Sequence, residues 1–289
     1  MGASVIDPQK FKSMQRQNWD SVAQGWRKWW KVIEENSQVV SDRLVENAGI
    51  RQGSRVLDVA TGIGEPAVTA AKIVGPSGKV IAIDLSPGML SIARERAKEM
   101  DLSNIIEFQE GDAESLHLPP SSFDAVLCRF GLMFMPDVTT ALKAMRDTLV
   151  RNGGRIAAAV WSSADKVPSF RLPLEIVMKE TGAPPPPVGL PGPLALSDTN
   201  LLRQRFEGAG FENIKIEKDK MNFKFSSSTE FAEFVQNTGG SLGAMIAGLS
   251  AARQQEIWNK VADAASKHSG TQKGNVNFTN EVIYISANR

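Results

Sequence analysis

Cysteine is nearly absent from the chain: Cys128 is the only one. A single cysteine excludes an intrachain disulfide and a cysteine-cluster zinc site, and no metal is expected. Long apolar runs are missing as well, none reaching the about 18 residues of a membrane-spanning helix. The opening segment, MGASVIDPQKFKSMQRQNWD, lacks the apolar stretch of a secretory leader. Gly2 is followed by Ile6 where an N-myristoylation pattern wants Ser or Thr. Charge of one sign is not in excess either: the formal net charge is +1. With no basic stripe, that balance argues against nucleic acid as partner and against stable membrane insertion. A cytoplasmic location is the simplest expectation. What is present is ordinary for a globular protein with a real core: 42% hydrophobic and 22% charged residues over 289 positions.

The pattern changes along the chain. Residues 16–48 read as a helix, on which Trp19, Val22, Ala23, Trp26, Trp30 and Ile33 recur every three or four positions and form one stripe. From residue 55 short β-branched runs alternate with helical patterns. Strands are expected at 55–60, 79–86, 105–113, 123–131 and 155–161, and helices at 64–75, 87–100 and 137–154. Pro66 falls in the first turn of one helix, Asp137 is a candidate N-cap and Gly153 a stop. Such alternation argues for a parallel sheet with helices on both faces. Then the rhythm breaks. Residues 162–200, with PPPP at 184–187, read as a surface insertion. A helix is expected at 201–211, strands at 214–225 and 280–288, and mostly helix over 228–268. The organisation is therefore a helical cap over 1–50, an α/β core over 51–161, a proline-rich insertion over 162–200, and a closing part over 201–289 that completes the sheet and carries a helical lid insertion at 226–270.

Three motifs sit at the carboxyl ends of expected strands, where open α/β sheets bind ligands. The first is Asp58-Val59-Ala60-Thr61-Gly62-Ile63-Gly64-Glu65. Its glycines let a ligand approach the backbone, and the following helix offers free N–H groups. The second is Asp84, 20 residues beyond Gly64, where a carboxylate can accept both hydroxyls of a ribose. The third is Gly111-Asp112-Ala113, suited to hydrogen-bonding an adenine edge. Taken alone, Gly62 to Ala67 also fits a nicotinamide dinucleotide fingerprint. Asp58 at the strand end speaks against that, because it repels a pyrophosphate and attracts an ammonium group.

VLDVATGIGEPAV, VIAIDLSPGML, EGDAESLHLP, FDAVLCRFGLMFMPD and NGGRIAAAVW together resemble the successive motifs of class I S-adenosylmethionine-dependent methyltransferases, especially the broad ubiquinone/menaquinone-biosynthesis group. The likeness is strong over about 50–161 and weak at the ends. Ala60 departs from it, standing at the first glycine position of the family's loop. The resemblance implies a Rossmann-like α/β fold: a central, mostly parallel seven-stranded sheet with helices on both faces and a helical lid, the core at 51–161 binding S-adenosyl-L-methionine. By the same resemblance, Asp58, Ala60, Gly62 and Gly64 face the methionine part of that cofactor and Asp84 holds its ribose. Leu85 and Met89 pack on the adenine, Asp112 and Ala113 read its edge, and Arg129 stands at the pocket mouth.

Every assignment has a plainer alternative. Asp58 also suits a turn cap, and Asp112 a turn residue. Arg129 also suits pairing with a surface acid, and His117, the weaker catalytic candidate beside Arg129, a solvated loop. Trp26, Trp30 and Phe130 are candidates for the acceptor pocket, with core packing as the alternative. The expected activity is methyl transfer to a small molecule, hydrophobic or mixed in character. The alternatives are a non-catalytic S-adenosylmethionine-binding protein of the same fold and a nicotinamide-dependent oxidoreductase.

Overall fold

A computed structural model describes residues 7–185, 189–268 and 274–289. Residues 1–6 of the cap, Gly2 and Ile6 included, Pro186 and Pro187 of the proline run, and 269–270 at the end of the lid segment lie outside the described residues.

The chain begins with α1 (Pro8–Asn47), a helix of 40 residues. Pro8 occupies its first position, where a missing N–H costs nothing, and the Asp7 carboxylate caps the Gln9 and Lys10 amides. The alternating core follows as β1 (Arg55–Val59), α2 (Ala67–Val74), β2 (Lys79–Asp84), α3 (Pro87–Glu99), β3 (Ile106–Glu110), β4 (Ala125–Arg129), α4 (Val138–Thr148) and β5 (Arg155–Trp161). After it come α5 (Pro168–Thr181), α6 (Thr199–Gly208), β6 (Glu212–Phe225), α7 (Ser228–Thr238), α8 (Gly240–Ile246), α9 (Ala251–Ala265) and β7 (Val276–Asn288). The strands form one seven-stranded sheet in the order β3-β2-β1-β4-β5-β7-β6. Pairing is parallel from β3 to β5, and only β7 runs antiparallel to its neighbours.

The apolar runs of β1, β4 and β5 are buried almost throughout, as strands covered by helices on both faces must be. The main core lies around them. A second apolar core forms where the sheet outgrows its parallel part. Trp161 pairs with Val282, so residues 276–281 of β7 and the matching part of β6 run on past the end of β5. Against that extension pack α5, α7 and α9, through Val177, Phe225, Phe231, Trp258, Val276 and Phe278.

Several boundaries differ from the expectation. The helix placed at 16–48 begins already at Pro8, where Asp7 caps it, and the strands placed at 105–113 and 123–131 are shorter, at Ile106–Glu110 and Ala125–Arg129. The helix placed at 64–75 starts only at Ala67, with Pro66 as its N-cap, because residues 61–66 form a turn. The helix placed at 137–154 ends at Thr148, since Leu149 already bridges to Phe123. The strand placed at 280–288 begins four residues earlier, at Val276, to build the extension. Within the proline-rich insertion lies the 14-residue helix α5, with Pro168 at its start and Pro173 inside it.

Candidate functional site

The carboxyl ends of β1, β2 and β3 bring Asp58, Asp84 and Asp112 to one edge of the sheet. Between the first two lies the turn Thr61–Glu65. Ala60, Gly62 and Gly64 all adopt positive φ, at 59°, 56° and 102°. For Ala60 this is the strained left-handed region that a glycine enters freely. The space beside the Gly62 Cα is open, with no atom within 4 Å of where a Cβ would stand. The backbone there is accessible to a ligand.

Asp58 is fully buried. Its Oδ2 accepts from the Ala67 amide at 3.0 Å, so the residue does cap the helix after the turn. Its Oδ1 and the Thr61 hydroxyl oxygen are buried without a well-formed hydrogen bond. Burial pushes the Asp58 carboxyl up to about 7, outweighing the Thr61 hydroxyl and the Arg129 charge. A buried carboxylate oxygen without a well-formed hydrogen bond is what an incoming ammonium group satisfies. Asp84 sits at the end of β2. Its Oδ2 accepts from Gly62 N at 2.8 Å and its Oδ1 from Ser86 N at 2.9 Å. Burial raises its carboxyl above the ordinary range against these two amides. Leu85 is half-buried beside it. Met89 is buried with Val22, Ala23, Ile63 and Ile92, beneath the Trp19, Trp26 and Trp30 stripe of α1.

Asp112 and Ala113 are half-buried in the turn after β3. Asp112 holds the Glu114 amide at 2.9 Å and is ion-paired with Lys12 at 2.7 Å, and Lys12 also reaches Glu114 at 2.6 Å. Arg129 is half-buried and donates to the hydroxyls of Ser41 at 2.8 Å and Ser37 at 3.3 Å on α1 rather than to a surface acid. Burial lowers its guanidinium, opposed by Glu65 and Asp58. His117 is exposed in its loop.

On the far side of the same edge, Phe130 adopts φ 57° and its ring stacks on Trp161 with centroids 4.1 Å apart. Phe170 of α5 adds a third ring, 5.2 Å from Trp161. Trp26 donates to the Thr238 carbonyl at 3.3 Å, and Trp30 stacks over the Arg96 guanidinium at 4.8 Å. The N-terminal helix and the 226–270 segment thus meet directly. Gly239 and Gly240 of that segment are close-contact positions: a Cβ would lie 2.7 Å from the Val235 oxygen at the first and 2.4 Å from Asn18 Oδ1 at the second, whereas the space beside Gly243 and Gly248 is open.

Sequence reading missed the charged face of α1. Lys12, Arg16, Asp20, Arg27 and Glu34 recur at intervals of four and seven, which is one helical face. Arg16 pairs with Glu110 at 2.7 Å, and Asp20 accepts from Ser86 Oγ at 2.5 Å and Gly88 N at 3.0 Å. Arg27 pairs with Glu95, and Glu34 with Arg96. The cap lies along the three strand-end motifs, bound to two of them by charge. Two other surface grooves, at Thr199, Arg203 and Lys218 and at Glu233, Gln236 and Trp258, share no residue with this edge.

The family model described as the ubiE/COQ5 methyltransferase family matches residues 14–181. The chain is 37% identical over 143 residues to a ubiquinone/menaquinone biosynthesis C-methyltransferase, UbiE, of Pseudomonas fluorescens, covering 50% of this chain and 52% of that one. It thus spans about half the length of the curated relatives it matches. Among solved structures, the YcgJ protein of Bacillus subtilis superposes with a TM-score of 0.56 at 20% identity, over 86% of this chain and 97% of that one. Phosphoethanolamine N-methyltransferase 2 of Haemonchus contortus, in complex with S-adenosyl-L-methionine, superposes with a TM-score of 0.51 at 17% identity, over 86% and 52%. At these identities the two structures speak for the fold alone.

Proposed function

The chain belongs to the ubiE/COQ5 methyltransferase family, and on that premise we propose that it transfers a methyl group from S-adenosyl-L-methionine to a small-molecule acceptor, hydrophobic or mixed in character, in the cytoplasm. The observation that carries this reading is the series Asp58, Asp84 and Asp112 around the Gly62–Gly64 turn, with Asp58 Oδ1 buried and without a well-formed hydrogen bond. The donor set fits the cofactor: a carboxylate for its ammonium, a second for its ribose hydroxyls, a third for its adenine amino group, and Arg129 for its carboxylate.

When bound, the cofactor supplies an electrophilic methyl group on a sulfonium. The leaving group of that transfer is neutral, so the protein has no proton to deliver to it. Asp58 and Arg129 fix opposite charges of the methionine end, and Asp84 fixes the ribose. Helix α1 excludes water, so alignment and desolvation are the protein's main contributions. His117, exposed on its loop, has no part in this scheme. The UbiE relatives' name specifies C-methylation in quinone biosynthesis. That acceptor is not carried over, because α6 to α9 lie beyond the matched residues. The aromatic group of Phe130, Trp161 and Phe170, with Trp26 of α1, is the surface proposed to receive the acceptor.

Calorimetry with S-adenosylhomocysteine and NAD, followed by transfer of labelled methyl to a small-molecule extract, tests the reading. Expected are S-adenosylhomocysteine binding, no dinucleotide binding and a labelled small molecule. Dinucleotide binding alone overturns it, and binding without any labelled product supports a non-catalytic binder instead.

A further inference from the structure

The peptide units of the Thr61–Glu65 turn are flanked by two glycines at positive φ, Gly62 and Gly64. Such units rotate easily unless something holds them. One hold is Asp84, which accepts from the Gly62 amide. The other comes from α3. Arg96 is 3% exposed, and its Nη1 donates to the Ile63 carbonyl at 2.5 Å. The carbonyl between the two glycines is therefore pinned by a buried cation.

That cation depends on α1. Its Nη2 is ion-paired with Glu34, and the Trp30 ring lies over it at 4.8 Å. Burying a guanidinium is costly unless it is paired, and burial pulls the Arg96 guanidinium down to about 10, with Arg129 nearby adding to the effect. Both the counter-charge and the aromatic face that offset this cost are supplied by the cap helix. If α1 left, Arg96 would lose Glu34 and the Trp30 ring, and the water let in would compete with the Ile63 carbonyl for its guanidinium.

We propose that Arg96 is a positioning residue which couples the cap helix to the cofactor turn: it sets the Ile63 peptide, and it does so only while Glu34 and Trp30 of α1 are docked on it. The inference rests on the methyltransferase reading for what the turn binds, but the geometry of the turn itself does not. A lysine at 96 would keep the charge and lose the fork, since one ammonium does not serve a carbonyl, a carboxylate and a ring face in the same way.

The test uses the full chain with Arg96→Lys and with the double change Arg96→Met and Glu34→Met. The double change removes the buried pair together, an exchange that often leaves stability unchanged. Two quantities are read: amide hydrogen exchange at Gly62, Gly64 and Glu65 in the ligand-free protein, and affinity for S-adenosylhomocysteine. Expected for the double variant, at a melting temperature close to that of the parent, are exchange faster by about tenfold or more and binding weaker by about tenfold or more. Arg96→Lys is expected to fall between. Parental exchange and parental affinity in a folded double variant overturn the proposal. If the double variant does not fold, the same two readings on Arg96→Lys decide. A parent chain that binds no S-adenosylhomocysteine sinks the functional reading, while the exchange comparison still judges Arg96.

Discussion

The Asp84 carboxylate accepts a hydrogen bond from the Gly62 amide at 2.8 Å, so the end of the second strand holds the turn that follows the first. Its other oxygen holds Ser86 N, the start of α3. One side chain thus fixes two loops of the candidate site. Asp84→Ala is expected to weaken S-adenosylhomocysteine roughly ten- to hundredfold, since a hydrogen bond to a charged group contributes about 1.5–3 kcal/mol. It is also expected to lower the melting temperature, because the Gly62 and Ser86 amides lose their acceptor. Asp84→Asn keeps one acceptor oxygen and should lose less of both. Parental affinity in a folded alanine variant would show that the ribose is held elsewhere.

Asp58 gives the ligand-free protein a pH dependence of defined sign. Its carboxyl is raised from 3.8 to about 7, so the folded chain keeps a proton that the unfolded chain releases. Between about pH 4 and pH 7 the contribution of this group to stability falls as pH rises, and beyond that it levels off. An ammonium placed beside Asp58 favours the ionised form. Affinity for S-adenosylhomocysteine should therefore rise with pH through this window, by at most about tenfold per pH unit, with release of a proton. Asp58→Asn should flatten both profiles. Calorimetry in two buffers of unlike ionisation enthalpy reads the proton directly, and equal enthalpies in both would show that no proton is released and that Asp58 does not ionise on binding.

Ser41 is the nearer of two hydroxyls that accept from Arg129, at 2.8 Å. Ser41→Val leaves that half-buried cation with only the longer contact to Ser37. A loss of about 1–3 kcal/mol in denaturant unfolding is expected, along with weaker cofactor binding if the freed guanidinium tilts away. Unchanged stability would mean that solvent, not α1, satisfies Arg129.

Gly25 sits in the middle of α1, where propensity alone makes alanine the better residue by about 1 kcal/mol. Here the sign is expected to reverse. A Cβ at this position would stand 1.9 Å from the Asn237 carbonyl oxygen of α7. Gly25→Ala should cost about 1–3 kcal/mol by forcing the two helices apart, seen as a lower melting temperature. A stabilised variant would show that α1 and α7 separate without penalty.

The parallel core was legible because local chemistry and global position agree there. RVLDV and RIAAAVW are apolar and β-branched or small, and both are buried on two faces. Asp58, Asp84 and Asp112 announce themselves by following such runs. The contacts of the cap were not legible in the same way. Lys12 meets Asp112 across 100 positions and Asp20 meets Ser86 across 66, so no window of sequence contains both partners. Their one trace is the repeat of charges on a single helical face, which a solvated helix also shows. Helix α5 was hidden by its own prolines: Pro168 suits a first turn and Pro173 is tolerated inside, yet both read as loop. Arg96 looked like any basic residue near a helix end, and only the fold reveals that the carbonyl it reaches is Ile63.

The place of β7 between β5 and β6 bears on how the chain is made. Strand β6 leaves the ribosome before the strand that separates it from β5, and in the finished sheet β6 and β5 point the same way. Until β7 arrives, both present open backbone edges, and nothing in their direction forbids them from pairing with each other and shutting the later strand out. The run Lys215, Glu217, Lys218, Asp219 and Lys220 puts charge along β6, a pattern that discourages such premature pairing and association between neighbouring nascent chains. A chain released before residue 276 would keep both edges unsatisfied, and aggregation rather than a smaller fold would be its fate.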